Sequence, residues 1–204
     1  AIDPVRYISN ASTGKMGYAL VRACLNRGAE VTLITGPTHL SLQAWQTFCP
    51  LKIVNVVSSA EMCEATISAF KQADITILCA AVADFTPCKI ADRKLKKQEL
   101  STINSQLSIE LTTTTDIAAT LGKEKGEKLL IGFALETHDE QANALRKLQS
   151  KNLDMIILNS LQDSGAGFGV DTNKVTLLYT DGTKKDLPLL LKQEVADAII
   201  EALH

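Results

Sequence analysis

Residues 3–37 read DPVRYISNASTGKMGYALVRACLNRGAEVTLITGP and begin an alternation of helix-like and strand-like segments. Apolar positions within residues 14–27 fall near helical spacing, and Gly28 is the residue type that most often ends a helix. A β-branched run, residues 30–35, follows at once. We therefore predict a helix and then a strand, preceded by a short polar segment, residues 10–15.

The same alternation continues along the chain. Predicted strands are residues 30–35, 52–57, 74–80, 107–111, 129–135 and 154–158, and predicted helices are residues 14–27, 59–72, 116–121, 139–151 and 192–203. Residues 175–179 and 184–189 flank a Thr-Asp-Gly-Thr turn and predict a hairpin. The pattern predicts a Rossmann-like, doubly wound three-layer α/β sandwich with a mostly parallel sheet and a C-terminal β-hairpin.

The length of 204 residues indicates one domain over residues 1–204, and since 46% of the residues are hydrophobic and only 4% are aromatic, we expect an aliphatic core. A net charge of −2 argues against a nucleic-acid partner. No apolar run approaches the ~20 residues that span a bilayer, and no signal peptide is visible, so we expect a cytoplasmic protein. The five cysteines form no CxxC pair and are interpreted as free, buried thiols. A cysteine–histidine pair or a zinc site is the weaker alternative.

The polar segment before the first helix is a candidate phosphate site. Ser12, Thr13 and Gly14 precede free helical N–H groups, which together with the helix dipole favour an anion. Asn10 adds a neutral donor, and Gly17 is expected to allow close packing of the helix. An ordinary helix cap is the alternative interpretation.

Two further candidates follow predicted strands, where doubly wound folds bind ligands. Asp84, after residues 74–80, is suited to a cation or a ribose hydroxyl. Lys94, Lys96 and Lys97 are suited to a mobile loop that closes over a polyanion. The alternative for these lysines is a solvated charge run.

A third candidate lies around residues 129–151. Phe133, near the end of its strand, is suited to stacking on a base, or else belongs to the core. Lys147 and Lys151 are four positions apart and share one helical face, which favours an anion between them. A solvated face is again the alternative.

Together these features favour a binder of a polyphosphate nucleotide. The GxGxxG, GxxxxGK[ST] and GxSxG patterns are absent. Two other readings stay open: a non-catalytic nucleotide-binding domain and a Rossmann-type NAD(P)-dependent oxidoreductase.

The chain resembles the bacterial phosphopantothenoylcysteine synthetases, the ligase domain of the flavoprotein family that serves coenzyme A biosynthesis. The matching segments occur in order over nearly the whole chain: DPVRYISNASTGKMG, GAEVTLITGP, AAVADF, KLKK, GFALET, KNLD and GFGVDTN. The resemblance implies a phosphopantothenate–cysteine ligase. CTP would activate the carboxylate of 4'-phosphopantothenate to an acyl-cytidylate with release of pyrophosphate. L-cysteine would then form the amide and release CMP.

The resemblance also implies the cofactors and partners. CTP would be a co-substrate with Mg²⁺ or another divalent cation, and this domain would hold no flavin. The protein would be a homodimer, with a phosphopantothenoylcysteine decarboxylase either fused to it or separate.

Site residues follow from the same resemblance. Asn10 would support the second step and Lys94 the first, with Lys96 and Lys97 in the closing loop. The nucleotide would be bound by Ala80, Asp84, Lys94, Thr115, Asp116, Ile117, Ala118, Phe133, Lys147 and Lys151. Ser12, Thr13 and Gly14 are our own addition, from the helix N-terminus, and the metal ligands stay unassigned.

Two departures from the family pattern matter. A strand reading like ITAGPT usually stands just before the first residue of this chain, so we expect the central strand to lie outside these residues; a true absence of that strand would leave an apolar groove in the sheet open. Thr115 stands where many relatives carry proline, which loosens the local backbone.

Overall fold

The predicted alternation of helices and strands is realised over the part of the chain that the computed structural model describes, residues 1–96, 108–136, 138–160 and 169–203. The helices are α1 (Lys15–Asn26), α2 (Gln43–Gln46), α3 (Ser59–Phe70), α4 (Ile117–Glu124), α5 (Glu140–Ser150) and α6 (Lys192–Glu201). The strands are β1 (Val31–Thr35), β2 (Leu51–Asn55), β3 (Ile75–Leu78), β4 (Phe85–Pro87), β5 (Leu111–Thr113), β6 (Leu129–Glu136), β7 (Met155–Ser160), β8 (Thr172–Asn173), β9 (Val175–Tyr179), β10 (Lys184–Asp186) and β11 (Leu190–Leu191).

The main sheet has five strands in the order β10-β9-β7-β6-β3. Its strands β3, β6 and β7 are parallel, so their carboxyl ends meet at one edge. β9 runs antiparallel to β7 and forms a hairpin with β10, whose turn contains Gly182 at φ 84°. The mostly parallel sheet and the C-terminal hairpin are confirmed.

Helices cover both faces of this sheet. Along β7, Met155 and Ile157 pack with α1 and α6, whereas Ile156 packs on the opposite face with α3, α4 and α5. Neighbouring residues of β6, Leu130 and Ile131, divide in the same way between the two faces. Full burial of each aliphatic side chain of this kind contributes about 1.5–3 kcal/mol. The three-layer α/β sandwich is therefore confirmed.

Helix α1 joins two parts of the core. Ala19, Leu20 and Ala23 pack toward the main sheet and α6, and a second cluster, containing Tyr18, Val21 and Leu25, packs toward β1 and β2. The expectation that Gly17 allows close packing is wrong, because a β-carbon there would meet no atom within 4 Å.

Strands β1 and β3 each have one edge without a strand partner among the described residues. β1 pairs with β2 in a separate parallel sheet, and β3 pairs with β6. An open cavity of about 3030 Å³ is lined by both strands and by residues of α1 and α3. The apolar run of residues 74–80 favours a buried strand, but Ile75 is 43% exposed because this cavity lies along β3. A strand that precedes residue 1 stays a prediction.

Other local differences are small. The segment predicted as a loop, residues 82–98, contains β4, which pairs antiparallel with β5. The strand predicted at residues 107–111 is found later, at β5, and residue 107 itself lies outside the described ranges. Within those ranges, no helix has the length and apolar character needed to cross a membrane.

Candidate functional site

The candidate site lies at the carboxyl edge of the parallel strands, where the cavity described above continues. Predicted site residues that line this cavity are Asn10, Ser12, Thr13, Gly14, Ala80, Asp84, Thr115, Asp116, Ile117, Ala118, Phe133, Lys147 and Lys151. Lys94 and Lys96 are exposed and do not line it, and Lys97 lies outside the described residues. The structure thus places most of the predicted residues around one space.

The N-terminus of α1 presents open backbone donors to this cavity. Gly14 is the N-cap residue with φ 78°, a left-handed conformation that favours glycine. No side chain caps the helix, and its first turn has no acidic residue. The free N–H groups and the positive end of the helix dipole therefore remain available to an anion.

Asn10 connects the polar segment to the loop after β3. Its side-chain amide Nδ2 donates to the backbone oxygens of Ala81 and Val82 at 3.3 and 3.2 Å. These contacts hold the Asn10 side chain against the two residues that follow Ala80 and fix the direction of its amide. The residue is exposed, so a ligand in the cavity can reach it.

Lys147, on α5, and Lys151, which follows its last residue, each have a carboxylate partner. Lys147 Nζ lies 2.6 Å from Glu136 Oε1, at the end of β6, and Lys151 Nζ lies 3.0 Å from Asp116 Oδ2. Asp116 also caps α4 by accepting from the Ala119 N–H at 2.9 Å. Burial opposes ionisation of Asp116, but the Ala119 N–H and the Lys151 ammonium outweigh it and lower the pKa of Asp116. A polyanion at this wall would compete with two carboxylates.

Phe133 and the helix that carries Lys147 pack on opposite faces of the main sheet. Phe133 packs beside the core cluster of α1 and α6, whereas α5, which carries Lys147, packs on the opposite face through Ala144 and Leu148. Phe133 and Lys147 nevertheless both line the cavity. Stacking of Phe133 on a base therefore stays a prediction.

A second cationic group contains Lys15, which we considered as the cation of residues 10–15, and Lys192, which sequence analysis missed. Lys15 Nζ lies 2.8 Å from Asp171 Oδ1 and donates to the Gly169 oxygen at 2.9 Å. Lys192 is buried at the start of α6, and its Nζ donates to the Val170 oxygen at 2.6 Å. Burial is the main cause that lowers the pKa of Lys192, and the nearby Lys15 ammonium lowers it further. A lysine that begins an amphipathic helix carries no sequence signal of burial.

Sequence analysis also missed the role of Asp3, one of the few buried charged residues in the described chain. Its carboxylate accepts hydrogen bonds from the Arg6 guanidinium and from the Leu95 N–H. The Arg6 guanidinium outweighs the opposing effect of burial and holds the pKa of Asp3 well below its usual range. The Asp-Pro-x-Arg order was the available signal, since Asp side chains often bond to backbone N–H groups just after them.

A magnesium ion at this site would need ligands from a bound nucleotide. No group of three or more His, Cys, Asp or Glu side chains suited to a metal occurs in the described ranges. Mg²⁺ commonly takes one or two carboxylates and completes its shell with substrate phosphates and water. Asp84 is exposed and lines the cavity, so it is the residue suited to this task.

The fold and the site define a doubly wound α/β protein whose cleft, at the carboxyl edge of the sheet, combines lysines with an uncapped helix N-terminus. A family model described as "DNA/pantothenate metabolism flavoprotein C-terminal domain" matches residues 1–204. The chain therefore belongs to this family.

Similar proteins support this assignment. The coenzyme A biosynthesis bifunctional protein CoaBC of Bacillus subtilis (strain 168) is 45% identical over 203 residues, which are 100% of this chain and 48% of that protein. A protein named "Cysteine/Cysteine sulfinic acid decarboxylase", from an unknown prokaryotic organism, is 49% identical over 99% of this chain and 54% of its own length. The chain thus spans about half the length of these curated relatives.

Solved structures agree with the fold. The crystal structure of the C-terminal domain of CoaBC is 40% identical, with a TM-score of 0.79 over 99% of this chain and 87% of that chain. The DNA/pantothenate metabolism flavoprotein from Streptococcus pneumoniae is 20% identical with a TM-score of 0.78, over 100% of this chain and 93% of that one. The second likeness concerns the fold alone.

Proposed function

We propose that this domain is a phosphopantothenate–cysteine ligase of coenzyme A biosynthesis that uses CTP. One observation carries the proposal: the chain matches the CoaBC C-terminal domain over 99% of its length, with Asn10 held beside an uncapped helix N-terminus in one cleft. The homodimer, the cytoplasmic location and the decarboxylase partner remain predictions.

In the first step, a carboxylate oxygen of 4'-phosphopantothenate attacks the α-phosphorus of CTP. The new O–P bond forms as the bond to the bridging oxygen breaks, and pyrophosphate leaves with that electron pair. Negative charge on the phosphates is matched by the N-terminus of α1 and by the ammonium groups of Lys94, Lys147 and Lys151. Magnesium, when bound by the nucleotide and Asp84, would supply further charge neutralisation.

In the second step, the amine of L-cysteine attacks the acyl carbon of the cytidylate. The acyl oxygen gains negative charge in the tetrahedral intermediate, and the C–O bond to the phosphate then breaks to release CMP and one proton. The Asn10 amide is a neutral donor suited to that oxygen, because a neutral donor stabilises the charge without binding the starting carboxylate more tightly.

The test is pyrophosphate release from CTP, and separately from ATP, with 4'-phosphopantothenate and Mg²⁺ before and after addition of cysteine. We expect release that depends on phosphopantothenate, and amide product only after cysteine is added. A folded protein that binds a nucleotide but releases no pyrophosphate would instead support the non-catalytic nucleotide-binding domain. Binding of NADPH in place of CTP would support the oxidoreductase.

Lys94→Gln should suppress pyrophosphate release itself, because it removes a cation from the first step. Lys89→Gln is the matched control, since Lys89 is an exposed lysine of the same loop. Equal loss in both variants would remove Lys94 from the mechanism.

A further inference from the structure

The segment that carries Lys94 is attached to the N-terminal segment of the chain by a buried carboxylate. Asp3 is 1% exposed. Its Oδ1 accepts from the backbone N–H groups of Val5 and Arg6, each at 2.9 Å. Its Oδ2 accepts from Arg6 Nε at 2.9 Å and from the Leu95 N–H at 3.2 Å. One side chain thus organises its own turn and reaches the residue next to Lys94.

Two more contacts fasten the same two segments. Arg6 Nη2 donates to the Leu95 oxygen at 2.9 Å, so both backbone polar groups of Leu95 are bonded to the Asp3–Arg6 pair. The Ala91 N–H donates to the Ile2 oxygen at 3.0 Å. The backbone is therefore held on both sides of the Lys94 position, while the Lys94 side chain is exposed.

We propose that Asp3 is a positioning residue for Lys94. Asp3 would act through Lys94 and would not contact the substrate. The inference rests on the proposed function only for the role of Lys94. The Asp3 carboxylate accepts from the Leu95 N–H directly. It also holds the Arg6 guanidinium, which donates to the Leu95 oxygen. The Lys94 ammonium then reaches the triphosphate from a backbone position that Asp3 and Arg6 hold in place. Loss of this fixed backbone position lowers the rate of the step that uses Lys94, because small misplacements of a charged group weaken transition-state stabilisation.

The experiment is a double-mutant cycle on pyrophosphate release. Asp3→Asn keeps the size of the side chain but cannot accept at both oxygens. We expect it to lower the rate of the first step about 10-fold when Lys94 is present, and less than about 2-fold in a Lys94→Ala background. Asp92→Asn, an exposed carboxylate of the same loop, is the matched control and should change neither rate.

A purely structural role would give equal losses in both backgrounds and would overturn the proposal. Backbone amide exchange at Leu95, measured without ligand, should rise about 10-fold in Asp3→Asn and stay unchanged in Asp92→Asn. Unchanged exchange at Leu95 would also overturn it. If the wild type releases no pyrophosphate, the proposed function fails and the positioning of Lys94 in catalysis fails with it, while the Leu95 exchange still reports separately on the Asp3 contact.

Asp3→Asn can fail to fold, because Asp3 is buried. Asp3→Glu then replaces it in both measurements, since it keeps the charge and moves the carboxylate by one methylene. We expect an intermediate loss of the first step that again disappears without Lys94, and a loss that persists without Lys94 contradicts the proposal.

Discussion

The Lys147 ammonium lies 2.6 Å from the Glu136 carboxylate, where β6 ends and the wall formed by α5 begins. Glu136 is mostly buried, whereas the Lys147 side chain is 43% exposed toward the cleft. Asn143 Nδ2 donates to the second oxygen of Glu136 at 3.4 Å. Before any ligand binds, the lysine is therefore turned toward the protein and partly neutralised.

Glu136→Gln should release Lys147 to a polyanion. We expect the KM for CTP to fall about 2- to 5-fold at low salt, and the free energy of unfolding to fall by about 1 kcal/mol or less. Steady-state kinetics at two salt concentrations and urea unfolding measure both effects. Asp186→Asn is the control, because its ion pair with Lys184 at 3.4 Å lies on the hairpin. A raised KM in Glu136→Gln would show that the carboxylate positions the lysine.

Asn10→Asp should separate the two steps. Pyrophosphate release should persist, whereas CMP release after cysteine addition should fall roughly 100-fold, because a carboxylate repels the oxyanion. Rapid-quench measurement of both products distinguishes the steps. The thermal midpoint must be measured as well, since the substitution also removes the donations to Ala81 and Val82. Normal turnover of cysteine by the folded variant would refute the role of Asn10.

Gly122→Ala should loosen the wall that holds Lys151. A β-carbon at Gly122 would lie 2.0 Å from the Lys151 backbone oxygen, so either α4 or the end of α5 must move. We expect the free energy of unfolding to fall by about 3 kcal/mol and the KM for CTP to rise. Gly17→Ala, in α1, is the control, because no atom lies within 4 Å of the added carbon. Gly17→Ala should raise or preserve the free energy of unfolding. If both variants lose the same free energy of unfolding, the close approach of the Gly122 β-carbon to the Lys151 oxygen is not the cause.

Cys79 should resist alkylation near neutral pH. Burial raises the pKa of its thiol to about 12, although the Lys192 ammonium favours the thiolate. At pH 8 only about one thiol in ten thousand would be ionised, and the thiolate is the nucleophile. We expect iodoacetamide to label the exposed Cys88 first, with Cys79 becoming reactive only as the pH approaches 12. Peptide mapping after timed quenching measures both, and rapid labelling of Cys79 at pH 8 contradicts the prediction.

Local patterns predicted the local structure well. Helix α1 and strand β1 follow from apolar spacing and β-branching within residues 14–35, and Ser58, one of the two serines that could cap α3, caps it by accepting from the Glu61 N–H. Their signals are contained in short windows of sequence. Most of the predicted site residues line one cavity, which also extends along β1, β2 and α3, and their joint role in binding stays a prediction.

Contacts between distant segments were not predictable in this way. Asp3 and Leu95 are 92 positions apart, and no periodicity relates them. The exposure of Ile75 depends on what lies beside β3, which the composition of the strand does not encode. The two lysines of α5 were assigned to a shared anion, but their carboxylates come from Glu136 and Asp116 on other elements.

Helix α1 has a mechanical consequence for the site. One side of the helix is anchored to the main sheet, and the Tyr18, Val21 and Leu25 side holds the β1–β2 pair across the open cavity. Gly14 lies at the N-terminus of this helix, whereas Lys147 lies on α5, on the opposite face of the main sheet. The aliphatic packing of α1 therefore sets how constant the spacing is between the helix N-terminus and Lys147.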